Sequence, residues 1–128
     1  TNPAPKIFKA GFLNSCEMIF CCWNKRHTWN FISQKEMHNF LESPICMAPE
    51  RLKKPKHPAQ KPVFILKKMV TIASNENDIV FDPFMGVGST GVAALELNRK
   101  FIGFELDENY FQAGKKRIME YKKDVPNL

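Results

Sequence analysis

The residues best suited to chemistry lie in one stretch, Asp82-Pro83-Phe84-Met85-Gly86-Val87-Gly88-Ser89-Thr90-Gly91, and in an acid fourteen residues beyond it, Glu105. Gly86-x-Gly88-x-x-Gly91 follows a short apolar run, Ile79-Val80-Phe81, and precedes helix-compatible residues, Val92 to Leu97. Formally this matches a dinucleotide fingerprint. Glycines there let backbone approach a ligand with no Cβ in the way, and the amides of the following helix face it. Glu105 falls at the end of the next expected strand, where a carboxylate can accept both hydroxyls of an adenosine ribose. Strand, glycine loop and acid together point to an adenosine-containing cofactor; a tight strand–helix turn is the bland alternative.

Two features separate NAD from S-adenosylmethionine. Asp82 stands at the carboxyl end of the strand, before the glycines. A carboxylate there suits the cationic amino group of a methionine moiety and would repel a pyrophosphate. The fingerprint also normally opens a six-stranded sheet, yet only one further strand follows it here. Both favour S-adenosylmethionine.

The elements that must hold these groups are legible by pattern. Ile65, Leu66, Met69, Val70 and Ala73 recur at helical spacing after Pro62, and Asn75 to Asp78 end that helix. Phe101 to Leu106 read as a second strand. Asp107 can cap a final amphipathic helix running through Tyr121, with Phe111 and Ile118 on its apolar face. Strand, loop, helix, strand and helix make a βαβα unit, hence a parallel sheet and an α/β fold. Upstream, residues 1–14 are Pro-rich and then apolar, and read as extended. Glu17 to Trp23 are bulky and β-prone, Asn24 to His27 form a turn, and Thr28 to Ile32 return as a second strand of an antiparallel hairpin. Residues 33–60 are loop-like and carry the basic cluster Arg51, Lys53, Lys54 and Lys56. The organisation expected is therefore a hairpin over 1–32, a loop region over 33–56 and a cofactor-binding region over 57–128.

Composition sets outer bounds. The 128 residues are 44% hydrophobic and 25% charged, which suits one small folded domain. Nineteen Lys and Arg against thirteen Asp and Glu leave a formal charge of +6, which permits a polyanionic partner without demanding one. No apolar run reaches membrane-spanning length, and the expected location is the cytoplasm. The first residues, Thr1 to Lys6, lack an initiator Met and an apolar signal core, which points to a trimmed or excised chain. Cys16, Cys21, Cys22 and Cys46 form no C-x-x-C pair and read as reduced thiols. His27, His38 and His57 have no ligand spacing, so no metal site is expected.

Taken with Lys56-His57-Pro58-Ala59-Gln60-Lys61-Pro62, the Phe81–Gly91 stretch closely resembles the DNA amino-methyltransferases. Within them it is similar to the β-class, which methylates adenine N6 or cytosine N4 and places the cofactor half after the catalytic half. Phe101 to Glu105 resembles the family's ribose-binding strand, and Glu17 to Trp23 a hairpin strand near the target base. The resemblance covers essentially the whole chain. It implies a partial Rossmann-like, class I methyltransferase sheet. It also implies prokaryotic or phage origin, a restriction–modification setting and S-adenosylmethionine as cofactor. By the same resemblance Asp82 holds the cofactor's amino group while Pro83, Phe84, Met85, Gly86 and Gly88 wrap the methionine moiety. Ser89 and Thr90 contact its carboxylate, Glu105 binds the ribose, and Gln60 and Lys61 close over the methionine end. His57 orders the loop, and Ala59 stands where the family often has Thr. Lys25, Arg26, Arg51, Lys53, Lys54 and Lys56 would face the phosphates of double-stranded DNA. The run Lys115-Lys116-Arg117 reads as a solvated helix face.

One family motif is absent. These enzymes transfer the methyl group at an Asp/Asn/Ser-Pro-Pro-Tyr/Phe tetrapeptide, which holds a flipped base. Asp82-Pro83-Phe84 belongs to the glycine loop, and Ser43-Pro44-Ile45 lacks the second proline and the ring. No catalytic residue is therefore assigned in this chain. The expectation is a cofactor half that needs a second polypeptide or a missing N-terminal half to methylate DNA, with self-association as a further option. The competing reading is a non-catalytic S-adenosylmethionine- or DNA-binding remnant or regulatory module.

Overall fold

Five regular elements follow one another in a computed structural model that describes residues 16–124. Helix α1 (Val63–Ala73) starts directly after Pro62, whose fixed φ of −63° and missing N–H suit a helix entry. Strand β1 (Ile79–Asp82) follows, then helix α2 (Ser89–Glu96), strand β2 (Lys100–Gly103) and helix α3 (Glu108–Asp124). β1 and β2 pair in parallel from Ile79↔Lys100 to Asp82↔Gly103, so the expected βαβα unit is present. Asp107 caps α3 as expected, its Oδ1 accepting the Tyr110 N–H at 3.0 Å.

α2 is the centre of the packing. Ser89, Gly91, Val92, Ala93 and Ala94 are all buried, and the helix touches α1, α3 and both strands. Its run of small residues lets these neighbours approach closely. Val70, Met85 and Val87 complete the core around it.

The end of α1 is tied down from two directions. No basic residue lies in its last turn, so its carbonyls take donors from elsewhere. Arg99, only 8% exposed, donates to Ser74 Oγ and to the Ser74 carbonyl at 3.1 and 2.7 Å. Asn30 gives its side-chain N–H groups to the Thr71 and Ser74 carbonyls and its backbone N–H to Ile72. A cation at a helix C-terminus is favourable whichever element supplies it.

The hairpin expected over 17–32 does not form among the described residues. Residues 16–23 have no ladder, and the bridge Asn24↔Arg26 closes only a local turn. Met18, Ile19 and Phe20 are exposed, and with no strand beside it among the described residues this β-prone run gains neither ladder bonds nor cross-strand packing to hold it extended in a sheet. Asn30 instead anchors this segment to α1. The extended segment expected over 1–14 lies outside the described residues.

The sheet has one covered and one open face. Ile79, Phe81, Ile102 and Phe104 alternate along the two strands and are all exposed, with Phe81 and Phe104 meeting edge to face at 6.0 Å. Among the described residues no element covers this apolar face. No described helix is long and apolar enough to cross a membrane.

Candidate functional site

The carboxyl ends of β1 and β2 lie side by side, and their backbone bonding runs on past the strands. The Phe104 N–H donates to the Asp82 carbonyl and the Met85 N–H to the Phe104 carbonyl, at 3.0 and 2.9 Å. This brings the residue after Phe104 against the start of the glycine loop. Glu105 Oε2 accepts the Gly86 N–H at 2.9 Å, and its Oε1 accepts the Asp107 N–H at 3.0 Å. Each oxygen keeps lone-pair capacity for a further donor. Asp82 Oδ1 accepts the Phe84 N–H at 3.0 Å, an Asx turn that bends the chain out of β1, while Oδ2 has no hydrogen bond among the described residues. Two carboxylates thus flank one loop, both held by backbone amides. Beside them Phe84 and Leu106 stand 83% and 99% exposed, Pro83 is exposed, and Met85 is buried with its sulfur over Gly103.

The loop glycines have a second reason to be glycine. Gly86 and Gly88 take φ of +51° and +76°, which side chains resist. A Cβ on Gly86 would meet His57 Nε2 at 3.0 Å, and one on Gly88 would meet the Gly114 carbonyl and Ile118 at the same distance. At Gly91 it would strike Ile118 and Phe101. The space that the sequence pattern assigns to a ligand is, at Gly88 and Gly91, occupied by α3 and β2. His57 stacks edge to face on Tyr110 at 4.6 Å, and its Nδ1 accepts the Ala59 N–H, so the loop-ordering role expected for it fits its contacts.

Other residues expected in the site face elsewhere. Gln60 is 7% exposed, and both ends of its amide are engaged: Oε1 accepts the Leu52 N–H and Nε2 donates to the Glu50 carbonyl. Its amide secures the 50–52 loop, so the role of closing over a cofactor does not fit these contacts. Lys61 pairs with Glu17 at 2.7 Å on the surface. Ser89 is buried, with its Oγ accepting from Arg117 Nη1 at 3.0 Å, so its hydroxyl is turned to α3 rather than to the open loop. Thr90 is half-buried at the start of α2.

The basic residues divide in the same way. Lys25, Arg26, Lys53, Lys54 and Lys56 are exposed. Arg51 is not a free cation for phosphate. Its guanidinium donates to the carbonyls of Cys46, His57 and Pro58, because the surrounding loop has carbonyls that no ladder satisfies. Met47, Ala48, Leu52, Lys53 and Lys56 line a shallow groove in this loop that includes no glycine-loop residue. On α3, Lys115 and Lys116 are solvated as expected, but Arg117 is not: its side chain is 16% exposed and reaches Val87, Ser89 and Glu50. Glu50 and Arg117 are the residues that sequence reasoning missed. The one available signal was the placement of Arg117 three residues after Gly114 and four before Tyr121, inside the apolar stripe of the helix.

Among the described residues no cluster of His, Cys, Asp and Glu could hold a metal. Comparison with known proteins places this arrangement. The profile of the N6/N4 DNA methylase family matches residues 2–116. The chain is 36% identical to the type II methyltransferase M2.LlaDCHI of Lactococcus lactis subsp. cremoris, across 92% of this chain and 47% of that protein. It is 34% identical to the type II methyltransferase M.HinfI of Haemophilus influenzae, across 95% of this chain and 38% of that protein. The crystal structure of the M1.HpyAVI–SAM complex superposes with a TM-score of 0.59 at 42% identity, covering 73% of this chain and 44% of that one. The chain spans about half or less of the length of the curated relatives it matches.

Proposed function

The chain belongs to the N6/N4 DNA methylase family, and on that premise we propose that it is the S-adenosylmethionine-binding part of a DNA amino-methyltransferase. The observation that carries this reading is the pair of amide-held carboxylates at the strand ends, Asp82 and Glu105, on either side of a glycine loop in left-handed backbone conformations. Their chemistry fits the cofactor. Glu105 can accept the two ribose hydroxyls with the lone pairs its amide donors leave, and the open Oδ2 of Asp82 can take the amino group of the methionine moiety. Phe84 and Leu106 offer apolar surface at the mouth. Lys61 can swing from its exposed pairing with Glu17, an interaction worth little in water.

When bound, the cofactor supplies an already activated methyl group for direct transfer to an exocyclic amino nitrogen of adenine or cytosine. This chain's own contribution is positioning: it fixes the methionine and ribose ends so that the methyl group is presented in one orientation. Lys25, Arg26, Lys53, Lys54 and Lys56 contact DNA phosphate and give salt-dependent affinity without reading sequence. The tetrapeptide that grips the flipped base comes from a longer form of the protein or from a second chain. The same absent part covers the open face of Ile79, Phe81, Ile102 and Phe104, an apolar surface of the kind that marks an interface.

Calorimetric titration of S-adenosylmethionine into the chain tests the reading. Micromolar binding, weakened at least tenfold by Glu105→Ala, is expected. Tight NAD binding instead would make the protein a dinucleotide binder, and binding of neither ligand would leave a non-catalytic remnant.

A further inference from the structure

The two pieces that form the proposed site come from distant parts of the chain; His57 packs one against the other at Gly86, and Arg117 ties them by hydrogen bonds. Arg117 projects from α3 between the glycine loop and the 46–62 segment. Its Nη1 donates to Ser89 Oγ at 3.0 Å and to the Val87 carbonyl at 3.5 Å, which fixes the turn from loop to α2. Its Nη2 lies 3.3 Å from Glu50 Oε1. That same oxygen accepts the Val63 N–H at 2.8 Å, so the carboxylate also caps α1 just after Gln60-Lys61-Pro62. Glu50 is further held through its own carbonyl by Gln60. Pro62 gives α1 no capping side chain, so Glu50 supplies the acceptor at that helix start, while Arg117, a donor, ties Ser89 and Val87 at the entry to α2 without capping its N–H groups. Unlike the exposed pairs on α3 and at Lys61, both partners are largely withdrawn from water, at 16% and 33% side-chain exposure, where a charge pair is screened less.

We propose that Arg117 and Glu50 act as a clasp that sets the 57–62 segment against the glycine loop and thereby sets the affinity for S-adenosylmethionine; the affinity part rests on the cofactor reading above. Arg117 is a positioning residue, since it acts through Ser89, Val87 and Glu50. Gly114 and Ile118, three residues before it and one after, press on the same loop, so one face of α3 serves as the back wall of the site.

Two measurements test the clasp. The first is calorimetric affinity for S-adenosylmethionine in Arg117→Gln, Glu50→Gln and their combination, at a temperature where circular dichroism shows each variant folded. Glu50→Gln keeps an oxygen for the Val63 N–H and removes only the charge. Each single variant is expected to weaken binding about tenfold, and the double variant no further than the weaker single, because both break one contact. Arg117→Lys restores part of the loss, since an ammonium can pair with Glu50 but cannot fork to Ser89 as well. Folded variants that bind like the parent overturn the proposal.

The second measurement needs no cofactor. Amide hydrogen exchange of the free chain should speed up at Val87 to Ser89 in Glu50→Gln, although Glu50 makes no hydrogen bond to those residues and reaches them through Arg117. Acceleration confined to the neighbourhood of Val63 overturns the clasp. If the parent chain fails to bind S-adenosylmethionine, the cofactor reading falls, and the exchange data alone decide whether Arg117 and Glu50 couple the two segments.

Discussion

Gly114 is the position where local propensity and packing make opposite demands, which makes its replacement by alanine informative. In the interior of an exposed helix, glycine to alanine stabilises by about 1 kcal/mol. Here the added Cβ would lie 3.0 Å from the Gly86 carbonyl, 3.1 Å from the Gly88 nitrogen and 3.1 Å from the Val87 carbonyl carbon. All three are backbone atoms of a loop pinned by Glu105 on one side and Arg117 on the other, so none can yield as a flexible side chain would. Forcing a methyl group into such a site costs roughly 1–3 kcal/mol. The balance is a net loss of about 1 kcal/mol, or a fall in melting temperature of roughly 4 °C for a chain of this size. Urea unfolding followed by circular dichroism measures it, with the difference between Lys115→Gly and Lys115→Ala, one residue along on the exposed face, as the reference for propensity alone. A Gly114→Ala variant stabilised by about the propensity gain would refute the close approach of α3 to the glycine loop.

Two further outcomes are expected. Replacing Arg99 with methionine removes the charged donor from the Ser74 carbonyl, the Ser74 hydroxyl and the Leu97 carbonyl. It should destabilise by about 2–4 kcal/mol in the same urea assay, and a loss below the usual surface scatter of about 0.5 kcal/mol would sink the capping role. Burial raises the Cys46 thiol above its ordinary value of 9.0, with the nearby Glu50 carboxylate adding to the shift. The stability drawn from burying the neutral thiol is complete below that ordinary value and is lost as pH rises through the raised one. Iodoacetamide at pH 8 should therefore label the exposed Cys16, Cys21 and Cys22 while Cys46 stays protected until urea unfolds the chain; equal rates would refute its burial.

The βαβα unit was legible because its signals are local: helical spacing after Pro62, an apolar run, glycines, and Asp107 as a cap. Even there the boundaries moved for physical reasons. α2 begins at Ser89 rather than at Val92, since close packing of Gly91 against Ile118 and Phe101 outweighs poor helix propensity. β2 is bounded at Gly103 because its partner strand ends at Asp82, which bends into a turn, although the backbone of Phe104 still bonds to Asp82 and Met85. The hairpin failed for the opposite reason: β-propensity between Glu17 and Trp23 is only a fit to a neighbouring strand, and among the described residues no such strand lies beside it. Within the site, Asp82 and Glu105 could be picked out because strand ends place them. Gln60, Ser89 and Arg51 face inward through hydrogen bonds to residues that no periodicity relates to them. Arg117 and Glu50 stand 67 positions apart, and only the folded chain brings them together.

The glycines themselves deserve the least weight in choosing a ligand. Gly88 and Gly91 would be needed for α3 and β2 to approach even if the loop bound nothing, and Gly86 would be needed to admit His57. A glycine pattern of this kind therefore reports close packing of helix on loop as faithfully as it reports a phosphate or a cofactor. What distinguishes the ligand is charge. A pyrophosphate brought to this loop would meet the Asp82 carboxylate, with Arg117 already engaged by Glu50 and Ser89 behind it, whereas Glu105 suits the ribose of either cofactor. A ligand with a cationic amino group at one end and ribose hydroxyls at the other meets acceptors at both. Asp82, more than the glycines, is what supports S-adenosylmethionine as the proposed ligand.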